Sequence, residues 1–170
     1  MRKVGGRLNF DPQPQEYSII AVDETVVKCN GTPIYVWAAV DAETRQPIWF
    51  GVSLTRTTAN ALRFLQRLRR RCLGNPVILT DRGPWYRDSV VRAGFQNHVY
   101  QTFGLRSSVE RFFGYLKDRT RAFYNNVNPK KTLFTPLVDF LRCSLRGTPS
   151  GGDKNWAYPD RSLFKTECLF

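Results

Sequence analysis

The chain has 170 residues, of which 42% are hydrophobic and 14% aromatic, enough apolar material for one substantial core. We therefore expect a single α/β domain rather than a disordered chain. Its 26 Lys and Arg residues outnumber its 14 Asp and Glu residues, and the net charge of +12 indicates a polyanionic partner. No apolar run approaches the roughly 20 residues that cross a bilayer. The sequence thus favours nucleic acid over a membrane.

The start of the chain is basic but no apolar stretch follows it, which excludes a secretory signal and predicts a cytoplasmic, nucleoid-associated protein. The four cysteines are scattered singly along the chain, and His98 is its one histidine. A structural zinc site and a disulfide framework are therefore not expected.

The first predicted elements are strands. Residues 1–16 are polar, contain Gly and Pro, and show no periodicity, so we predict a flexible arm. Short apolar runs at 17–23, 34–40 and 47–54 predict three strands that form an antiparallel meander.

Helices and strands alternate in the next part of the chain. Apolar residues recur at helical spacing from Thr57 to Cys72 with arginines on the other faces, which predicts an amphipathic basic helix. We further predict a strand at 77–80, a helix at about 85–93, a strand near 97–103 and a long helix at about 107–124. This order resembles the ribonuclease H-like fold, an α/β fold with a mixed five-stranded sheet flanked by helices.

Three carboxylates stand at informative positions. Asp23 ends the first predicted strand and Asp81 ends the fourth, and ligands bind at the carboxyl ends of strands in open α/β sheets. Glu110 lies at the edge of the apolar stripe of the last helix, on an otherwise basic face. Oxygen ligands suit two hard cations about 3.5 to 4 Å apart, which promote in-line displacement at a phosphodiester.

A structural role for the same acids is equally compatible with the pattern. Asp23 and Asp81 would then make turns or helix caps, and Glu110 would pair with Arg106 or Lys117. Three neighbouring acids are expected to be solvated turn residues: Glu24, Asp41 and Glu43.

Basic and aromatic residues surround the proposed site in sequence. We expect phosphate contacts from Arg82, Arg87, Arg106, Arg111, Lys117, Arg119 and Arg121. Trp85 and Tyr86 follow a Gly-Pro turn; stacking on a displaced base is one interpretation, and core packing is favoured. His98 is expected to be structural, at a strand edge, because metal-activated chemistry needs no histidine base.

Four blocks of sequence together resemble the DDE catalytic domain of insertion-sequence transposases, over roughly residues 17–130. They are VDETVVKCNG at 22–31, YVWAAVDAET at 35–44, LTDRGPWY at 79–86 and TFGLRSSVERFFGYLKDRTRAFYNN at 102–126. The chain looks most like the insertion-sequence family numbered six, archaeal type. By position, the family's catalytic triad falls on Asp23, Asp81 and Glu110, and its basic residue beyond the Glu on Lys117 or Arg119.

The resemblance implies a ribonuclease H-like fold and two Mg²⁺ ions, for which Mn²⁺ would substitute. It also implies strand transfer of transposon ends into target DNA by a homodimer. We accordingly divide the chain into an arm at 1–16, a DDE catalytic domain at 17–134 and a divergent, partly disordered tail at 135–170.

Both ends of the chain depart from the family's pattern. Too few residues precede Asp23 for the helix-turn-helix that reads transposon ends, and the tail lacks the usual apolar closing helix. These departures leave two alternatives open: an inactive remnant that only binds DNA, or a ribonuclease H-like nuclease.

Overall fold

The computed structural model describes residues 13–29, 32–100, 109–111, 113–114 and 117, and the fold is given for these residues. The elements in chain order are β1 (Gln15–Glu16), β2 (Ile19–Cys29), β3 (Thr32–Asp41), β4 (Pro47–Ser53), α1 (Thr58–Arg69), β5 (Cys72–Leu73), β6 (Val77–Thr80), α2 (Pro84–Arg92) and β7 (Asn97–Tyr100). Residues 109–111, 113–114 and 117 are also helical.

Five strands form the main sheet, in the order β4-β3-β2-β6-β7. The first three pair antiparallel, which confirms the predicted meander, while β6 and β7 join in parallel. The short apolar run at 77–80 becomes β6 because a parallel strand buried among neighbours needs continuous rather than alternating hydrophobicity. The prediction of a mixed five-stranded sheet with helices is confirmed.

Strand β2 is longer than predicted. The prediction that the first strand ends at Asp23 is wrong, because β2 continues to Cys29. Its parallel pairing with β6 is recorded from Ile19↔Val77 to Ala21↔Leu79, but its antiparallel pairing with β3 runs on to Cys29↔Thr32. The polar residues of its second half are compatible with a strand that has lost one neighbour.

The fold also begins slightly earlier than the sequence indicates. Gln15 and Glu16 lie in the predicted flexible arm, yet they pair in parallel with Cys72 and Leu73. The Gln15 backbone N–H also donates to the Arg71 carbonyl at 3.1 Å. Two residues are too few to show a hydrophobic period, so the sequence does not predict this pairing.

Helices α1 and α2 pack on one face of the sheet. The Thr57 side chain caps α1 by accepting from the Asn60 N–H, and the helix buries Ala61, Phe64, Leu65 and Leu68. These residues join strand residues and the fully buried Tyr86 in one core, as the predicted amphipathic pattern requires. The core therefore fixes the start of α2 against the centre of the sheet.

Candidate active site

Asp81 occupies the turn between β6 and α2. Its Oδ1 accepts a hydrogen bond from the Gly83 N–H at 2.8 Å, so the carboxylate is held by the turn that it begins. The hydroxyl of Thr80, the last residue of β6, donates to the Asp81 carbonyl at 2.9 Å and lies 2.8 Å from His98 Nε2. The carboxyl end of β6 thus presents Asp81 in a fixed orientation.

Asp23 lies beside this end of β6, on β2. It is two residues beyond the pair Ala21↔Leu79, just as Asp81 is two residues beyond Leu79. Val22 packs in the core with α1 and α2, so strand alternation places Asp23 on the opposite face of the sheet. Strands β2 and β6 are neighbours in the sheet, and neighbouring strands lie about 4.8 Å apart.

Glu24 is the residue that the sequence interpretation misjudged. The side chain is only 4% exposed, and its Oε2 accepts hydrogen bonds from the Tyr86 hydroxyl at 2.5 Å and from Trp85 Nε1 at 3.2 Å. Arg56 Nη1 lies 3.3 Å from the other oxygen, Oε1. The prediction of a solvated turn acid is wrong because Glu24 lies within β2 and faces the first turn of α2.

The three acids Asp23, Glu24 and Asp81 interact electrostatically. Burial raises the pKa of Glu24, the hydrogen bond from Tyr86 opposes that rise, and the charges of Asp23 and Asp81 raise the pKa further. Burial raises the pKa of Tyr86 well above its usual range, and the charge of Glu24 adds to this effect. The three carboxylates are therefore close enough for the charges of Asp23 and Asp81 to affect Glu24.

The aromatic pair after the Gly-Pro turn, Trp85 and Tyr86, packs in the core beside Glu24. Tyr86 is fully buried and meets Trp37 edge to face at 6.1 Å, and Trp85 is partly buried against the same core. The predicted core packing is confirmed for both. A Cβ on Gly83 would lie 2.6 Å from the Trp85 ring and 2.8 Å from Asp81 Oδ1, so this position has no room for a side chain.

The remaining predicted ligand, Glu110, lies in the helical residues after β7. Glu110 is exposed while Val109 and Phe113 are buried, as expected for the edge of an apolar stripe. Across the described part of the chain, however, no three His, Cys, Asp or Glu side chains are grouped so as to hold a metal ion. Asp23 lies on β2 and Asp81 directly follows the neighbouring strand β6, and their carboxylate oxygens suit Mg²⁺.

Two other acids behave as turn residues. Asp41 ends β3 and accepts from the Glu43 N–H at 2.9 Å and from the Thr44 hydroxyl at 2.7 Å. The turn role expected for Asp41 is confirmed, although its side chain is buried rather than solvated. Glu43 is exposed in the same turn, as predicted.

The basic residues proposed to contact DNA divide into two groups. Arg82, Arg87, Arg111 and Lys117 are exposed. Arg106, Arg119 and Arg121 lie outside the described residues. Sequence reasoning missed Arg56, because 32 positions separate it from Glu24 and no local pattern connects them.

His98 occupies β7, at the edge of the five-stranded sheet, as predicted. Burial lowers its pKa, and its contacts are to Thr80 and, at 4.5 Å between ring centroids, to Tyr100. In the part of the chain that the structure describes, no helix is both long enough and apolar enough to span a membrane.

Comparison with known proteins identifies the family. Residues 18–136 match the family model of the DDE domain. An uncharacterized protein of Methanocaldococcus jannaschii is 33% identical over 132 residues, which cover 78% of this chain. The match spans 61% of that protein's length.

Solved structures agree on the fold. The catalytic core domain of BIV integrase superposes with a TM-score of 0.56 at 17% identity, over 79% of this chain and 86% of that one. The dimeric form of the HTLV-2 integrase catalytic core, solved with magnesium, gives a TM-score of 0.57 at 19% identity, over 82% and 94% of the two chains. The fold is therefore the ribonuclease H-like fold of integrase catalytic cores. With the family model matched over well more than half of its length, this chain belongs to the DDE domain family of transposases.

Proposed function

We propose that this chain is the catalytic core of a DNA transposase, which cleaves transposon DNA and transfers its strands into target DNA. The observation that carries the proposal is the placement of Asp23 on β2 and of Asp81 directly after the neighbouring β6, each two residues beyond the paired Ala21 and Leu79. Membership of the DDE domain family supports this reaction class. The finer assignment to insertion-sequence family six, archaeal type, is part of the proposal.

The metal centre is proposed to use the three residues that the family's motif selects. Asp23, Asp81 and Glu110 would hold two Mg²⁺ ions, with Mn²⁺ as a substitute, and the carboxylate oxygens of the first two fit this use. Such ions, when bound, activate the attacking oxygen and stabilise the leaving oxygen at a phosphodiester.

The chain itself supplies rigidity and charge around this centre. The Gly83 N–H and the end of β6 fix Asp81, and the paired strands fix Asp23 beside it. Phosphates of the DNA would be contacted by Arg82, Arg87, Arg106, Lys117, Arg119 and Arg121. We propose that the protein works as a homodimer on DNA in the cytoplasm, because two transposon ends must be brought together.

Strand joining with a matched pair of variants tests the proposal. A pre-cut oligonucleotide with a free 3′-hydroxyl is incubated with plasmid DNA and Mg²⁺ or Mn²⁺, and joined product is measured. Asp81→Asn is expected to abolish joining, while DNA affinity stays equal or rises because a charge that repels phosphate is removed. Asp88→Asn removes the same charge from an exposed position on α2, and this control is expected to join normally.

The outcomes separate the alternatives. Joining by wild type and Asp88→Asn but not by Asp81→Asn supports a transposase core. Cutting without joining would instead identify a nuclease. Binding without either reaction would identify an inactive fragment, and unchanged joining by Asp81→Asn would reject the site.

A further inference from the structure

Arg56 is placed at the candidate site by a tightly bonded loop between β4 and α1. On one side, the Ser53 hydroxyl donates to the Thr55 carbonyl at 2.7 Å and accepts from Trp37 Nε1 at 2.8 Å. On the other, Asn60 Nδ2 donates to the Thr55 carbonyl at 2.7 Å, and Thr57 caps α1. The backbone at Arg56 is therefore held at both sides.

The guanidinium of Arg56 is oriented by three further residues. Its Cζ lies 4.1 Å from the centroid of the Trp85 ring and 5.7 Å from that of Tyr35. Its Nη1 lies 3.3 Å from Glu24 Oε1. Two aromatic faces and one carboxylate thus restrict a side chain that otherwise has many rotamers.

The same guanidinium keeps most of its hydrogen-bonding capacity. Arginine carries five N–H donors, and among the described residues Arg56 donates to Glu24 alone. Its side chain is 42% exposed, whereas that of Glu24 is 4% exposed. The guanidinium is consequently anchored at one atom and still partly exposed, an arrangement suited to bidentate contact with a phosphate.

Arg56 also lies close to the carboxylates. The Trp85 ring under the guanidinium lies against Gly83, whose N–H donates to Asp81 Oδ1. Glu24, which anchors Arg56 directly, is the chain neighbour of Asp23. A phosphate on Arg56 would therefore belong to the DNA strand that passes the candidate active site.

We propose that Arg56 binds a backbone phosphate of the DNA at this site and that Glu24 is a positioning residue for it. The proposal rests on the proposed function, because DNA is the substrate there. An alternative role for the pair is purely structural, with the ion pair holding the loop against β2. A structural role predicts that Arg56→Gln leaves the salt slope of DNA binding unchanged, whereas a phosphate contact predicts a smaller slope.

The salt dependence of DNA binding tests Arg56 directly. Affinity for a duplex oligonucleotide is measured in EDTA over a range of salt, so catalysis is not needed for the readout. Arg56→Gln is expected to reduce the salt slope by about 1, the amount for one phosphate contact, and to weaken binding about tenfold. Arg70→Gln removes the same charge at the exposed far end of α1, and its slope is expected to match wild type.

Glu24→Gln decides between positioning and simple charge. Removing a negative charge near DNA strengthens binding if Glu24 acts only by repulsion. If Glu24 orients Arg56, the same substitution weakens binding, and Arg56→Gln added to it has little further effect. Arg56→Lys gives a second test, because it keeps the charge but loses the planar fork, and it is expected to weaken binding as well.

The results distinguish this proposal from the proposed function. An unchanged slope in Arg56→Gln, or a folded Glu24→Gln variant that binds more tightly, would overturn the role of Arg56 whether or not the protein joins DNA. Should Glu24→Gln fail to fold, Arg56→Lys decides, with wild-type affinity in that variant overturning the proposal. A reduced slope in a protein that neither joins nor cuts DNA would leave Arg56 as a phosphate ligand and reject the transposase reaction.

Discussion

Two acids with buried side chains, Asp41 and Glu24, have different kinds of partner. Asp41, at the end of β3, is bonded by Glu43 and Thr44 of its own turn. Glu24, on β2, is bonded by Arg56, Trp85 and Tyr86, which lie 32 to 62 positions away in sequence. An acid bonded within its own turn shapes that turn, whereas an acid bonded from two distant segments holds those segments together and can shape a site.

The same difference separates what the sequence could predict from what it could not. Asp41 was recognisable as a turn acid because the polar stretch that follows it contains its partners. The partners of Glu24 come together only when β2, the α1 loop and α2 are packed, so no spacing reveals them. Asp23 and Asp81 fall between these cases: adjacent strands were predictable from the order of elements, but the extension of β2 past Asp23 was not.

The largest effect on stability is expected from removing the carboxylate of Glu24, whose partners are distant in sequence. Glu24→Ala leaves the hydroxyl of the fully buried Tyr86 and the indole N–H of Trp85 without their acceptor, which is expected to cost about 2 to 4 kcal/mol of unfolding free energy. Asp41→Ala exposes two donors at a surface turn to water and is expected to cost about 1 kcal/mol.

Urea unfolding of both variants measures this difference. An equal loss of unfolding free energy in the two variants would show that the sequence distance of the partners does not affect stability. A larger loss in Asp41→Ala would reverse the comparison.

A smaller effect is expected at Gly83, which lies against both the Trp85 ring and the Asp81 carboxylate. Gly83→Ala introduces a methyl group against both the Trp85 ring and Asp81 Oδ1, and such overpacking costs about 1 to 3 kcal/mol. Strand joining should fall together with stability, because the carboxylate or the indole must shift. Gly83 has φ −56°, a value that Ala also adopts, so the substitution does not strain the backbone. Wild-type stability and joining in Gly83→Ala would therefore mean that the neighbouring side chains move aside without cost.

The smallest effect is expected from His98, which contacts Thr80 beside the site. Its folded pKa is lowered by burial, so the unfolded chain binds the proton more readily. This contribution to stability is complete above the usual pKa of about 6.5 and is lost as the pH falls through the lowered folded value. His98→Asn should therefore flatten the decline in the urea midpoint between pH 7.5 and pH 5, and an unchanged decline would assign it to other groups.

Side chains alternate between the two faces of β2, so the register of this strand determines the surroundings of its acids. Asp23 and Glu24 are adjacent acids on opposite faces of the sheet, one beside the end of β6 and the other against α2. A slip of one residue would exchange them, sending each carboxylate to the other's surroundings. The antiparallel pairing with β3 continues for ten residue pairs, from Ile20↔Asp41 to Cys29↔Thr32, and resists that slip along its whole length. The pairing of β2 with β3 therefore determines which of the two acids lies on which face of the sheet.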